Sequence, residues 1–304
     1  MKELSVIIPA YNEEKRIRKT IENVIRYLKG ITKDLEVIVV NDGSSDNTYK
    51  IAKSLERKFS NLKVVGYEKN KGKGYAIKYG LKFATKDLVV FIDADSEIDP
   101  KRIKLFYDYM KRNKADIVIG SKRHPLSKIE YYPRMRKLLS SFYNIFLRFL
   151  FHIKIKDTQT GLKLSRKDAL KTIFPLLRVK RFAFDVELLC YANFLGFKVI
   201  EAPITLKFSK KRWGRINLRT LLNIFFDTMA IAYRFYILKR YTIILRDTFI
   251  LFSIIMGSIY LYKIFFNPFL FPTIGTKTIV VLLSLLIFLI ILNLPYEAFS
   301  RKFD

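Results

Sequence analysis

From residue 4 to about residue 120, short β-branched apolar runs alternate with stretches in which apolar residues return every three or four positions. The runs Ser5–Ile8, Glu36–Val40, Leu62–Gly66, Leu88–Ile92 and Asp116–Ile119 predict strands, and the stretches between them predict helices. Val37-Ile38-Val39-Val40 and Leu88-Val89-Val90-Phe91-Ile92 are apolar on both faces, as parallel strands covered by helices on each side must be. The alternation therefore predicts an α/β domain with a doubly wound, mostly parallel sheet, whose ligands bind beyond the carboxyl ends of the strands.

Two later segments carry a helical period with a narrow polar stripe. Over about 134–151 the stripe is Arg134, Lys137, Ser141, Asn144 and Arg148, flanked by Leu138, Leu139, Phe142, Phe146, Phe149 and Leu150. Over 218–241 it is Arg219, Asn223, Asp227 and Arg234, flanked by Leu221, Leu222, Phe225, Phe226, Met229 and Ile231. Core helices share this pattern, but the sequence that follows favours helices lying in a bilayer interface with basic groups at headgroup level. Thr248–Tyr262 and Thr278–Tyr296 contain no charge, and Asn267-Pro268 and Pro272 separate them. They predict a transmembrane hairpin over 242–304 with spans of about 245–266 and 276–296. A basic domain precedes the first span, Arg301-Lys302 follows the second, and residues 267–275 have no Lys or Arg. A multi-pass membrane protein with its catalytic domain and both termini in the cytoplasm is the expectation. The chain then reads as a catalytic domain at 1–217, a second amphipathic helix at 218–241 and the hairpin.

Charge sharpens this division. The 304 residues carry a net +29. Residues 1–120 hold 25 basic and 17 acidic groups, residues 121–246 hold 27 and 7, and residues 247–304 hold 4 and 3. The excess in the middle block suits a polyanion: nucleic acid, an anionic membrane surface or a phosphorylated substrate. Cys190 is alone, which excludes an intrachain disulfide, and the first residues form a strand pattern with none of the features of a signal peptide. His124 and His152 are too few for a zinc site, and no phosphate-binding loop or catalytic triad is present.

The polar clusters follow strand ends. In Pro9-Ala10-Tyr11-Asn12-Glu13-Glu14, Asn12 fits a helix N-cap with two glutamates in the first turn. In Asn41-Asp42-Gly43-Ser44-Ser45-Asp46-Asn47-Thr48, Ser45 or Asp46 can cap the next helix, whereas Asp42 at the strand end is left without that role. Asp93, Asp95 and Glu97 alternate after an apolar strand, and on an extended chain residues two apart face one way, so three carboxylates converge. A cation must then sit among them, and oxygen ligands suit Mg²⁺ or Mn²⁺ beside a substrate phosphate.

PAYNEE, NDGSSDNT and DAD, in that order, resemble the family-2 glycosyltransferases of the GT-A fold. GSKRHP at Gly120, DTQTGLK at Asp157 and RFAFDVELL at Arg181 resemble the polyprenyl-phosphate branch, and are most similar to dolichyl-phosphate glucosyltransferases, with dolichyl-phosphate mannose synthases close behind. The resemblance covers about residues 4–240. It implies a nucleotide-sugar site made by Pro9, Ala10, Tyr11, Glu13, Val40, Asp42, Asp93, Ala94, Asp95 and Arg123. It also implies a metal held by Asp93, Asp95 and Glu97, the last standing where mannose synthases often carry Gln. Asp93, Asp95, Arg123 and Arg212 are the implied catalytic residues, with Lys122 inserted relative to the mannose-synthase pattern. Lys211-Arg212-Trp213 matches the QxxRW motif of processive synthases only in part, which disfavours polymerisation.

The implied reaction is inverting transfer of a hexose, from UDP-glucose, to dolichyl or polyprenyl phosphate, giving a lipid-linked sugar for glycan or protein glycosylation. A lipid phosphate is already an anion, so the chemistry needs no strong base; it needs leaving-group stabilisation and cations that bring two anions together. Arg123 after the fifth strand is a candidate for that meeting point. The alternatives are a mannose synthase using GDP-mannose, a processive sugar synthase, and a membrane-tethered nucleic-acid binder. Carboxylates at the strand ends count against the last, so nucleotide sugar, lipid phosphate and bilayer are the expected partners and nucleic acid is not.

Overall fold

Strands apolar on both faces need cover on both sides, and the computed structural model supplies it. It describes residues 3–179, 181, 183–207, 222–236, 253, 257 and 258. The chain divides into two compact units, Met1–Met229 and Ala230–Asp304, and the site residues described below lie in the first. The expected hairpin at 242–304 lies outside the described residues save for 253, 257 and 258. No helix among the described residues is long and apolar enough to cross a membrane.

The elements run β1 (Glu3–Ala10), α1 (Ile17–Lys29), β2 (Asp34–Asp42), α2 (Thr48–Glu56), β3 (Leu62–Tyr67), α3 (Lys73–Leu81), β4 (Leu88–Ile92), α4 (Arg102–Asn113) and β5 (Ile117–Ser121). There follow β6 (Lys128–Glu130), α5 (Arg134–Phe151), β7 (Leu162–Arg166), α6 (Lys167–Ile173), α7 (Phe184–Phe194), β8 (Val199–Pro203) and β9 (Thr205–Lys207). Residues 222–236 form a further helix. All five strands expected from the apolar runs are present.

Seven strands form one sheet in the order β3-β2-β1-β4-β7-β5-β8, and β6 pairs with β9 in a small second sheet. Alternate strand residues feed two cores. Leu4, Val6 and Ile8 face α1, α2 and α4, while Ile7, Ile38 and Val40 face α3, α6 and α7. In α1 the buried Ile17, Ile21, Val24 and Leu28 recur at three- and four-residue steps, which is why this segment coils against the sheet.

β7 departs from the parallel pattern. It is wedged antiparallel between β4 and β5, and its register sets Ile92 opposite Leu162. Asp93, just past β4, and Gly161, just before β7, are thereby brought to one point on the sheet edge.

α5 has the bounds expected of it, but its polar stripe is split. Asn144 is only 2% exposed. It turns inward, where its Oδ1 accepts a 3.4 Å hydrogen bond from Thr158 N and its Nδ2 donates to Ser140 O at 2.8 Å. With Leu147 and Phe151 also buried, the opposite face presents Met135, Leu138, Phe142, Ile145 and Phe149, spaced three and four apart, and Phe149 is 78% exposed. In the helix that starts at residue 222, Leu222, Phe225, Phe226 and Met229 are likewise exposed, whereas Thr228 is buried and shares a 2.8 Å hydrogen bond with Tyr143 Oη.

Candidate active site

The loops that follow β1 and β2 are laced together. Asn12, at φ 54°, does not cap a helix: α1 begins at Ile17 with Arg16 at its N-cap position. Asn12 Oδ1 instead accepts from Ser45 N at 2.9 Å, Asn12 N donates to Ser44 Oγ at 3.1 Å and Glu13 N donates to Thr48 Oγ1 at 2.7 Å. Glu14 N donates to Asp46 Oδ2 at 3.1 Å, and Glu14 Oε2 accepts from Asn47 N at 3.2 Å. These bonds tie residues more than thirty positions apart, so a local reading of capping misses them. Asp46 does receive the first N–H of α2, from Thr48 at 3.0 Å.

Asp42 lies buried at the end of β2 and fixes the loop entering α3. Its oxygens accept from Tyr67 Oη at 2.8 Å, Asn70 Nδ2 at 2.9 Å, Lys71 N at 2.8 Å and Gly72 N at 3.0 Å. Burial and then Asp42 push the Tyr67 hydroxyl well above the usual tyrosine range, so it stays a donor. Tyr11 is 48% exposed above this edge, and Glu13 is held by Arg16 at 3.2 Å. Ala10, Val40 and Ala94 are buried, so any contact they make with a ligand is through main chain.

Past β4 the chain turns at once. Ser96 has φ 57°, and the segment is not extended, so the alternation argument for Asp93, Asp95 and Glu97 does not hold. All three nevertheless line one cavity of about 530 Å³. Among the described residues no three acids or imidazoles form a ready-made metal cluster. Asp93 Oδ1 is instead 2.7 Å from Lys73 Nζ. Lys73 is also 3.8 Å from Asp185 Oδ2, and Asp185 Oδ1 is 2.7 Å from the buried Lys163, which in turn donates to Thr160 O at 2.6 Å. Thr160 Oγ1 donates to Asp157 Oδ2 at 2.9 Å, and Asp157 receives Lys122 N at 2.8 Å and Lys122 Nζ at 3.0 Å. Lys122 lines the same cavity as Asp93, so this alternating series of charges leaves the cavity wall and returns to it.

Charge states follow from these neighbours. Burial would raise Asp185, but Lys163 and Lys73 outweigh it and hold the carboxyl below the ordinary range. Burial also works against ionised Asp157, yet Lys122 keeps that carboxyl low. Asp93 ends above the ordinary range because burial, with Asp95 beside it, exceeds the help of Lys73. Gly161 is obligatory here. A Cβ on it would fall 1.8 Å from Asp93 Oδ2 and 2.4 Å from Asp93 Cγ.

The cavity has two characters. Asp93, Asp95, Glu97 and Lys122 are charged members of its lining; Leu139, Phe142 and Phe146 of α5, with Ile224 and Phe225, are apolar members. Arg123 does not line it. Its Nη2 donates to Ser141 Oγ on α5 at 2.8 Å, and the neighbouring Lys122 occupies the wall instead. Arg212 lies outside the described residues. Sequence reasoning passed over Lys73, Lys163, Asp157, Gly161 and Asp185 as individuals, although four of the five lie in quoted motifs. Glu187, also passed over, is buried and accepts from Arg178 N at 2.9 Å and Val179 N at 2.8 Å. A hard dication takes donors of this kind: Asp93, Asp95 and Glu97 each bring carboxylate oxygens to the lining of this one cavity, although they do not stand as a close-set cluster.

Residues 5–174 match the sequence profile described as Glycosyl transferase family 2. A dolichyl-phosphate beta-glucosyltransferase of Trichomonas vaginalis is 34% identical over 250 residues, which cover 79% of this chain and 76% of that protein. The human dolichyl-phosphate beta-glucosyltransferase is 35% identical over 217 residues, 67% of each chain. That of Dictyostelium discoideum is 34% identical over 213 residues, and the matched part spans 65% of its length. Among solved structures, glucosyl-3-phosphoglycerate synthase from Mycobacterium tuberculosis in complex with UDP superposes with a TM-score of 0.56 at 20% identity, over 76% of this chain and 79% of that one. The same synthase with Mn²⁺, UDP-glucose and phosphoglyceric acid gives a TM-score of 0.57. This likeness concerns the fold, a GT-A-like α/β arrangement around a mostly parallel sheet.

Proposed function

This chain belongs to glycosyl transferase family 2, and from that premise we propose that it transfers glucose from UDP-glucose to dolichyl or polyprenyl phosphate with inversion at the anomeric carbon. Relatives that match most of the chain are named dolichyl-phosphate beta-glucosyltransferases, which supports glucose as the sugar and dolichyl phosphate as the acceptor. One cavity carries the assignment, because its lining combines carboxylates and a lysine with aromatic and aliphatic side chains. A sugar donor needs only the first, whereas a phosphate on an isoprenoid chain needs both.

Each residue has a task in this reading. Tyr11 offers a ring face to the base, and the interlocked loops after β1 and β2 fix the edge on which the nucleoside lies. Asp93, Asp95 and Glu97 hold Mg²⁺ or Mn²⁺, which when bound offsets the charge of the departing diphosphate. Lys122, steadied by Asp157, draws the acceptor phosphate toward the donor. The acceptor oxygen is already anionic, so no side chain has to take a proton from it. Walls from α5 and from Ile224 and Phe225 shield the site from water and guide the isoprenoid.

We further propose that the exposed row Met135, Leu138, Phe142, Ile145 and Phe149 lies in the headgroup region of a membrane, with both termini on the cytoplasmic side. Membranes containing the protein, incubated with labelled UDP-glucose or GDP-mannose and dolichyl phosphate, test the assignment. A glucosyl lipid formed from UDP-glucose is the expected product; a mannosyl lipid alone, or glucose on a free sugar acceptor, would overturn it.

A further inference from the structure

Lys73 occupies the first position of α3, next to Gly72, and its side chain is 22% exposed. From there its ammonium meets Asp93 at 2.7 Å, while Asp185 stands 3.8 Å away on its other side. Asp185 is itself fixed by Lys163. The lysine is therefore held in place from behind, and the carboxylate it meets in front is one of those assigned above to the metal. A resident ammonium and an incoming dication on one carboxylate repel each other, and the repulsion is strong where water is scarce.

We propose that Lys73 is a positioning residue that neutralises Asp93 in the free enzyme, so that the divalent cation binds firmly only together with a nucleoside diphosphate. The inference rests on the metal reading of Asp93 and Asp95. A diphosphate brings oxygens that complete the shell of the ion and negative charge that offsets the lysine. Lys73 meets Asp93 Oδ1, and Oδ2 packs beside Gly161 in the lining of the same cavity. Metal and nucleotide are then coupled, and by linkage each tightens the other by the same factor. A site arranged this way holds little metal until the donor arrives.

Mn²⁺ titration of the full chain in detergent, read by electron paramagnetic resonance with and without UDP, tests this on wild type, K73M and K73R. Wild type is expected to bind Mn²⁺ on the order of tenfold more tightly with UDP than without. K73M is expected to bind Mn²⁺ alone about tenfold more tightly than wild type does, with the coupling to UDP reduced. K73R keeps the charge and is expected to behave as wild type. A lysine that serves only the fold predicts the opposite sign, weaker Mn²⁺ in K73M, and that result or an unchanged affinity overturns the proposal. Wild-type Mn²⁺ affinity that is indifferent to UDP overturns it too, whether or not K73M folds. Mn²⁺ that binds no variant even with UDP removes the metal reading of Asp93, and the proposal with it.

Discussion

The two sides of the cavity are held by different means. On the side of β1 and β2, the loops are fixed by hydrogen bonds from backbone N–H groups to Asn12, Ser44, Asp46 and Thr48 at the rim of the sheet. On the side of β7 and α7, the positions of Asp93 and Lys122 depend on buried ammonium–carboxylate contacts through Lys73, Asp185, Lys163 and Asp157. The first kind of scaffold is redundant, and the loss of one bond costs about 1 kcal/mol. The second is coupled, because removing one charge strands another, and Lys163 and Asp157 lie where water does not reach. The edge assigned to the nucleoside should therefore tolerate change, while the region between metal and acceptor should not.

Asp185→Asn is the severest way to probe this contrast, since it takes the shared carboxylate from Lys73 and Lys163. A loss of about 3–5 kcal/mol in urea unfolding is expected, with part of it recovered in Asp185→Asn/Lys163→Met. A loss near that of a single surface bond would break the contrast. Gly161→Ala acts on position and not on charge: the added methyl displaces the Asp93 carboxylate. Turnover is expected to fall about 100-fold while the melting temperature moves little.

Lys122→Ala sharpens the choice between neighbours. It should lower turnover with lipid phosphate by roughly 10-fold or more, with melting curves recorded alongside because Asp157 loses its partner. Arg123→Ala, which among the described residues releases a side-chain bond to Ser141, should leave turnover within about threefold, and the reverse order would return the acceptor phosphate to Arg123. The smallest effect is expected of Asn12→Ala, about 1 kcal/mol of stability with turnover nearly kept. A collapse of activity there would mean that the rim of β1 and β2 is as coupled as the interior.

What could be read from the sequence follows the same line. The five apolar runs became strands because their pattern is local and two-sided, and 134–151 became a helix for the same reason. β7 escaped because Leu162-Lys163-Leu164-Ser165-Arg166 alternates like a half-exposed strand; Lys163 is buried only because Asp185, twenty-two residues later, meets it. Asn12 was misjudged as a cap because its partners sit beyond β2, and Asn144 was placed in the outer stripe because Thr158 could not be foreseen beneath it. The motif residues Asp93, Asp95 and Glu97 did reach one cavity, but through a turn and not by the alternation of an extended chain. Lys73 belongs to no acidic motif, and only its distance to Asp93 reveals it.

The antiparallel insertion of β7 also bears on how the chain is made. β4 ends at Ile92 and its partner begins at Leu162, so seventy residues must be added before that flank of β4 finds its ladder. At about 5–20 residues per second the ribosome leaves an apolar strand edge open for several seconds. β5 emerges meanwhile and must not close on β4, because the place between them is reserved. A nascent chain in this interval has a nearly complete first half with the flank of β4 unprotected, which is the form in which newly made sheets mispair or call for a chaperone.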